Sequence, residues 1–129
     1  VVDEAATPGH VIASLGWRLG EFFADLTLTG AGGFQGIGNA LGNVITGNTG
    51  NNVLNGNSGA DTLFGGNGND SLLGRNDNDL VRGEAGADLM NGDAGADTLV
   101  GGAGPDTMSG GTGADVFVFA TAPTEADRI

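Results

Sequence analysis

The sequence predicts an all-β fold, a solenoid of short stacked strands, and three observations carry that reading. Gly47, Gly56, Gly65, Gly74, Gly83, Gly92, Gly101 and Gly110 fall nine residues apart without a miss. Five residues after each comes Asn52 and then Asp61, Asp70, Asp79, Asp88, Asp97, Asp106 and Asp115, with Asn43 in the same slot upstream. Two places further on stands an apolar residue in every copy: Ile45, Leu54, Leu63, Leu72, Val81, Met90, Leu99, Met108 and Phe117. Self-similarity at a fixed period marks a repeat architecture whose units bury their apolar faces against one another. Six residues of each nonapeptide read as turn and three as strand. In Thr62-Leu63-Phe64 the central side chain points one way and its neighbours the other.

Composition narrows the partners. The 129 residues include 27 Gly and 16 acids against four Arg, for a formal charge of -12. Nucleic acid and anionic membrane would be repelled, and cations attracted. Gly does not recur at every third position, which excludes a collagen helix. No stretch approaches eighteen apolar residues, so no spanning helix is expected. There is no Cys, and hence no disulfide framework. Val1 in place of Met, with no signal-peptide pattern ahead of the body, reads as a fragment of something longer.

Taken in order, residues 1–37 lack the repeat and read as a β-strand lead-in and cap. Strands are expected over Val11–Leu19 and Phe23–Thr29, which are apolar and β-prone, and a loop at His10. Trp17, Phe22, Phe23 and Phe34 suit packing at an end that a solenoid must cover. Residues 38–118 form the array, with 38–46 a transitional coil because Leu41 occupies a glycine slot. Within the array Gly is expected wherever the turn needs positive φ or close backbone approach. Arg75, Glu84 and Asp93 break the second position and Asp77 the fourth, which marks the middle copies as those that depart most from the pattern. Residues 119–129 are expected to be a truncated C-terminal extension.

The best copies read GGNGNDSLL (Gly65 to Leu73) and GGAGPDTMS (Gly101 to Ser109). The consensus G-G-x-G-x-D-x-U-x, with U apolar, resembles the nonapeptide of the repeats-in-toxin (RTX) family over residues 38–118. Ala114–Phe119 resembles the close of such arrays. The resemblance implies a right-handed parallel β-roll with two repeats per coil, so that repeat n stacks on n+2. Ile45, Leu63, Val81, Leu99 and Phe117 would then line one sheet, and Leu54, Leu72, Met90 and Met108 the other.

That stacking files the acids one coil apart along the two edges. Residues 61–115 carry ten acids against Arg75 and Arg82, and like charges so close repel without a counter-ion. Ca²⁺ accepts six to eight oxygens, carboxylate and carbonyl mixed, in flexible geometry, whereas Mg²⁺ does not. The resemblance implies calcium held by Asp61, Asp70, Asp79, Asp88, Asp97, Asp106 and Asp115. Turn carbonyls near Gly65, Gly66, Gly68, Gly83, Gly86, Gly101, Gly102, Gly104, Gly110, Gly111 and Gly113 would complete the ligand sets. Full pairs would be 61/79, 79/97, 97/115, 70/88 and 88/106, with Asn43 and Asn52 weaker candidates.

One His, no Cys and scattered Ser supply no nucleophile–base–orienter set, so no enzyme is expected. The acid spacing does not complete an EF-hand, nor does GGNGND continue into a phosphate loop. A disordered acidic tract conflicts with the strict register. The resemblance implies a secreted bacterial protein, exported by type I secretion machinery, whose repeat module folds when it binds calcium. The alternatives are an adhesion or ice-binding surface, or the non-catalytic tail of a secreted protease, lipase or epimerase. The ladder Thr49, Ser58, Asn67, Asn76, Ala85, Ala94, Ala103, Thr112 is too irregular for ice. Outward Phe64, Leu73, Leu80, Leu89, Val100, Val116 and Val118 fit either a docking face for a neighbouring domain or ordinary surface scatter.

Overall fold

The computed structural model describes residues 2–3, 9–119 and 126–129. Residues 120–125, the bulk of the expected C-terminal extension, lie outside it, as do 1 and 4–8. The described chain is all strand, without helix. The strands ahead of the array are β1 (Val2–Asp3), β2 (His10–Ala13), β3 (Trp17–Arg18), β4 (Asp25–Leu28) and β5 (Gln35–Ile37). Next come β6 (Val44–Thr46), β7 (Val53–Asn57), β8 (Thr62–Asn67), β9 (Ser71–Asn76) and β10 (Leu80–Ala85). The last four are β11 (Leu89–Ala94), β12 (Thr98–Ala103), β13 (Thr107–Thr112) and β14 (Val116–Val118).

From β2 onward the strands alternate between two sheets. One has the order β1-β2-β4-β6-β8-β10-β12-β14 and the other β13-β11-β9-β7-β5-β3. All neighbours pair in parallel except β1 with β2. This is a parallel β-solenoid of about six turns with two strands per coil. Register follows the apolar slot. Ile45, Leu63, Val81, Leu99 and Phe117 stack in one sheet, and Leu54, Leu72, Met90 and Met108 in the other. All are buried except Phe117 on the last strand, which packs against the core. The core between the sheets is one side chain thick.

Four expectations change. Pairing in β8 to β13 runs six residues rather than three, because the residues entering each turn keep the register and continue the ladder. The strand expected over Val11–Leu19 divides into β2 and β3 around Ser14–Gly16, where the chain crosses from one sheet to the other. Gln35–Ile37 is a strand inside the glycine-rich segment. The residues ahead of the array thus stack in the same two sheets, with β2 and β4 beneath β6, and β3 and β5 beneath β7. His10 opens β2 rather than lying in a loop, its Nε2 2.9 Å from Thr27 Oγ1 on the adjoining strand.

Leu63→Ala should destabilise the folded protein by about 2–5 kcal/mol, since the cavity opens in a single-layer core. Leu89→Ala, at a position 54% exposed, should stay within about 0.5 kcal/mol. Urea unfolding of both variants, under conditions where the parent chain is fully folded, checks the contrast.

Candidate metal centre

The turn carboxylates form two files, one along each edge of the roll. In the first, the backbone N–H of Asn43 donates to Asp61 Oδ1 at 2.7 Å, that of Asp61 to Asp79 at 2.8 Å, that of Asp79 to Asp97 at 2.8 Å, and that of Asp97 to Asp115 at 3.0 Å. The second repeats this arrangement: Asn52 to Asp70 (2.7 Å), Asp70 to Asp88 (2.8 Å) and Asp88 to Asp106 (3.0 Å). The carbonyls of Asp61, Asp70, Asp79, Asp88, Asp97 and Asp106, in turn, each accept from a backbone N–H of the next coil, as Asp61 O does from Leu80 N at 2.9 Å. Backbone and one carboxylate oxygen are therefore spent on holding the stack.

The second oxygen is not. Oδ2 of Asp61, Asp70, Asp79, Asp88 and Asp97 is buried and has no hydrogen-bond partner. A buried carboxylate oxygen left unpaired carries its full desolvation cost, so each position calls for a proton or a cation. Burial lifts Asp61 from the ordinary carboxyl value to about 7, and Asp79 and Asp88 to about 6. Backbone N–H donation pulls each back, and the next carboxylate in the file pushes it up again. Asp70 and Asp97 are raised for the same first reason.

Glycine shapes this space. A Cβ on Gly56, Gly65, Gly74, Gly83, Gly92 or Gly101 would run into Oδ2 of the aspartate five residues on. At Gly65 and Gly83 it would also lie 2.6 and 2.7 Å from the carbonyl oxygens of Gly83 and Gly101, one coil further along. The first-position glycines are thus required for room and not for φ. Positive φ falls on the second and fourth positions instead: Gly66, Gly68, Gly86, Gly102, Gly104, Gly111 and Gly113, together with Asn57, Arg75, Glu84, Asp93 and Asp77. Of the expected carbonyls, those of Gly65, Gly83, Gly101 and Gly110 lie against the first-position glycines Gly47, Gly65, Gly83 and Gly92, and those of Gly74 and Gly92 lie likewise against Gly56 and Gly74. Those of Gly68 and Gly86 pack on the glycines of the next coil, Gly86 and Gly104.

Among the described residues no three carboxylate or imidazole groups gather at one point. The oxygens on offer are one or two carboxylates per turn with backbone carbonyls around them, a donor set that fits a hard cation of high coordination number and not a transition metal. The irregular acids take other partners. Asp77 Oδ2 accepts from Gly59 N at 3.0 Å, across the coil, and Asp93 pairs with Arg75 at 3.4 Å.

One member of the second file was not anticipated. Asp106 N donates to Asp127 Oδ1 at 3.0 Å, Arg128 N to Asp106 O at 2.7 Å, and Thr107 bridges Arg128 in parallel. Asp127-Arg128-Ile129 therefore forms another D-x-U rung. It lies twelve residues after Asp115 instead of nine, so the periodic count passed over it, although the tripeptide itself was the available signal.

A parallel solenoid whose edges carry buried, half-satisfied aspartates every eighteen residues is a cation-binding repeat protein. A family model described as the RTX calcium-binding nonapeptide repeat (4 copies) matches residues 37–72, 64–99 and 91–120. The chain belongs to that family, whose repeats bind calcium and are typical of secreted bacterial proteins. No curated protein and no solved structure matches the chain.

The raised carboxyls set a pH dependence. Their folded-state values exceed those of the unfolded chain, so their contribution to the metal-free coil is complete below about pH 4 and is lost as pH rises through about 6 to 7. In chelator, the β-type circular dichroism should therefore be stronger at pH 5 than at pH 8. Excess calcium, which binds the ionised form, should remove that difference or reverse it.

Proposed function

We propose that this chain is a calcium-dependent folding and stability module of a secreted bacterial protein, ordered outside the cell and not catalytic in itself. The observation that carries the reading is the row of buried Oδ2 atoms without partners on Asp61, Asp70, Asp79, Asp88 and Asp97. In this reading the ions sit along the files at the pairs 61/79, 79/97, 97/115, 70/88 and 88/106, with Asp106/Asp127 as a further pair. Calcium supplies the positive charge that lets adjacent carboxylates ionise side by side. The chain supplies the carboxylates, the carbonyls and the glycine clearance.

Modules of the extracellular type bind at about 10⁻⁴–10⁻³ M. At cytosolic calcium the aspartate coils would then stay unfolded, which suits passage through type I secretion machinery, and they would close on export. Residues 38–118 are the repeat roll in this scheme, with its ion pairs from Asp61 onward, 1–37 are its lead-in, and 119–129 are a C-terminal extension whose Asp127 returns to the second file. The thin core agrees with a need for ions. One apolar side chain per repeat must offset the ordering of nine residues of glycine-rich backbone, at about 1 kcal/mol or more each.

Calcium titration followed by circular dichroism should show a cooperative gain of β structure, absent with Mg²⁺. Asp79→Asn removes a carboxylate shared by two pairs, at a cost of about 1–3 kcal/mol, and should raise the calcium midpoint on the order of tenfold. Full β signal at 61–118 in excess chelator at pH 8, or a midpoint unmoved by Asp79→Asn, would refute the proposal.

A further inference from the structure

The roll contains turns of two kinds, and only one kind is open to a cation. In the aspartate turns the second position has positive φ whatever residue stands there: Asn57 (78°), Gly66 (99°), Arg75 (88°), Glu84 (76°), Asp93 (71°), Gly102 (106°) and Gly111 (95°). The fourth position is positive as well, from Gly59 to Gly113 and including Asp77. In the turns 38–43 and 47–52 neither position is: φ is not positive at Asn39, Leu41, Asn48 or Gly50. Leu41 is tolerated in the glycine slot for this reason.

The changed backbone lets an amide close the turn. Asn39 N donates to Asn43 Oδ1 and Asn48 N to Asn52 Oδ1, both at 2.8 Å. These bonds satisfy the oxygen that is left bare in the aspartate turns. Asn43 Nδ2 donates to Phe23 O (3.4 Å) and Asn39 Oδ1 (3.1 Å), and Asn52 Nδ2 to Gly32 O (3.5 Å) and Phe34 O (3.4 Å). Asn39 Nδ2 takes Gly20 O and Phe23 O, both at 2.7 Å, while Asn48 Nδ2 takes Thr29 O (3.2 Å) and Gly32 O (3.0 Å). The carbonyls of Gly20, Phe23, Thr29, Gly32 and Phe34 face amide N–H groups here and not a cation. Asn43 and Asn52 are 1% exposed, and both side-chain polar atoms of each are partnered.

Two further features fall in the same segment. Residues 10–55 carry only Glu21 and Asp25 against Arg18, so no carboxylate file opposes folding there. Their core is also the richest, with Val11, Ala13, Leu19, Leu26, Leu28, Ile45 and Leu54 buried and Trp17, Phe23 and Phe34 packed against them.

We infer that residues 10–55 form a calcium-independent seed, in which side-chain amides stand where the later coils hold ions, and that the calcium coils stack onto it from Asp61 outward. The inference rests on calcium-dependent ordering of the aspartate coils and adds a division within the chain. The amide files give growth a start and a direction, since Asn43 N and Asn52 N present the first donors to Asp61 and Asp70.

Hydrogen exchange of the whole chain, read by mass spectrometry in chelator and in excess calcium at pH 8, tests the division. Amides of 10–55 should exchange roughly 100-fold or more below the unfolded rate without calcium, while 61–118 exchange freely and become protected on its addition. Trp17 emission should be unchanged by calcium. If 10–55 exchanges as fast as 61–118 in chelator and both gain protection at one calcium midpoint, the seed does not exist, whereas the calcium-dependent reading stands. Protection of 61–118 in chelator would overturn that underlying reading, and the rates of the two segments tell the failures apart.

Discussion

A backbone N–H donating to a carboxylate eighteen residues on is the interaction from which the rest of the roll follows. It places the aspartate side chain inside the turn rather than in solvent, and it sets the coil-to-coil register independently of the apolar core. With Oδ1 engaged, Oδ2 can only point inward, toward the first-position glycine, where no Cβ is admissible. The same bond therefore accounts for the glycine period, for the aspartate period and for the unmet oxygen. Hydrophobic burial adds a second, weaker reference for register, because a one-residue slip would turn Leu63, Val81 and Leu99 out of the core together.

What was legible in the sequence is what repeats with a fixed side chain. The apolar slot and the aspartate slot each recur every nine residues and each has one steric or electrostatic task, so counting recovers both slots, and the family resemblance, with two repeats per coil, divides them between two sheets and two files. The coils ahead of the array escaped the count because their lengths vary. Val11 stacks on Leu26 and Leu26 on Ile45, steps of fifteen and nineteen residues, before the spacing settles at eighteen. Gln35–Ile37 was hidden for a different reason. Its inward residue is Gly36, which buries no side chain and leaves its place in the core to Leu54, Ile45 and Leu26, within 3.2 Å of where a Cβ would be. A glycine that serves as a core position cannot be told by composition from a glycine that serves as a turn. The two glycine roles within the repeat were likewise merged, since clearance and positive φ select the same residue. Only the structure separates Gly83, needed for room, from Gly86 at φ 147°.

The exchange of Asn for Asp along each file follows from hydrogen-bond polarity. At the head of a file the coil beneath is irregular and turns carbonyl oxygens upward: Phe23 O under Asn43, Gly32 O and Phe34 O under Asn52. A carboxylate there would set anionic oxygen against carbonyl oxygen, so a side chain with a donor is required. One coil later the group beneath is an N–H, from Asn43 or Asn52, and an acceptor is required. A carboxylate satisfies that donor and leaves a second oxygen with no hydrogen to receive, which is the condition for a cation. The turn then opens at its second position, even where Arg75, Glu84 and Asp93 must adopt positive φ at a cost of about 1 kcal/mol or more each. That three bulky residues accept this conformation, while Asn39 and Asn48 avoid it, ties the shape of the turn to the aspartate and not to the residue that bears the strain.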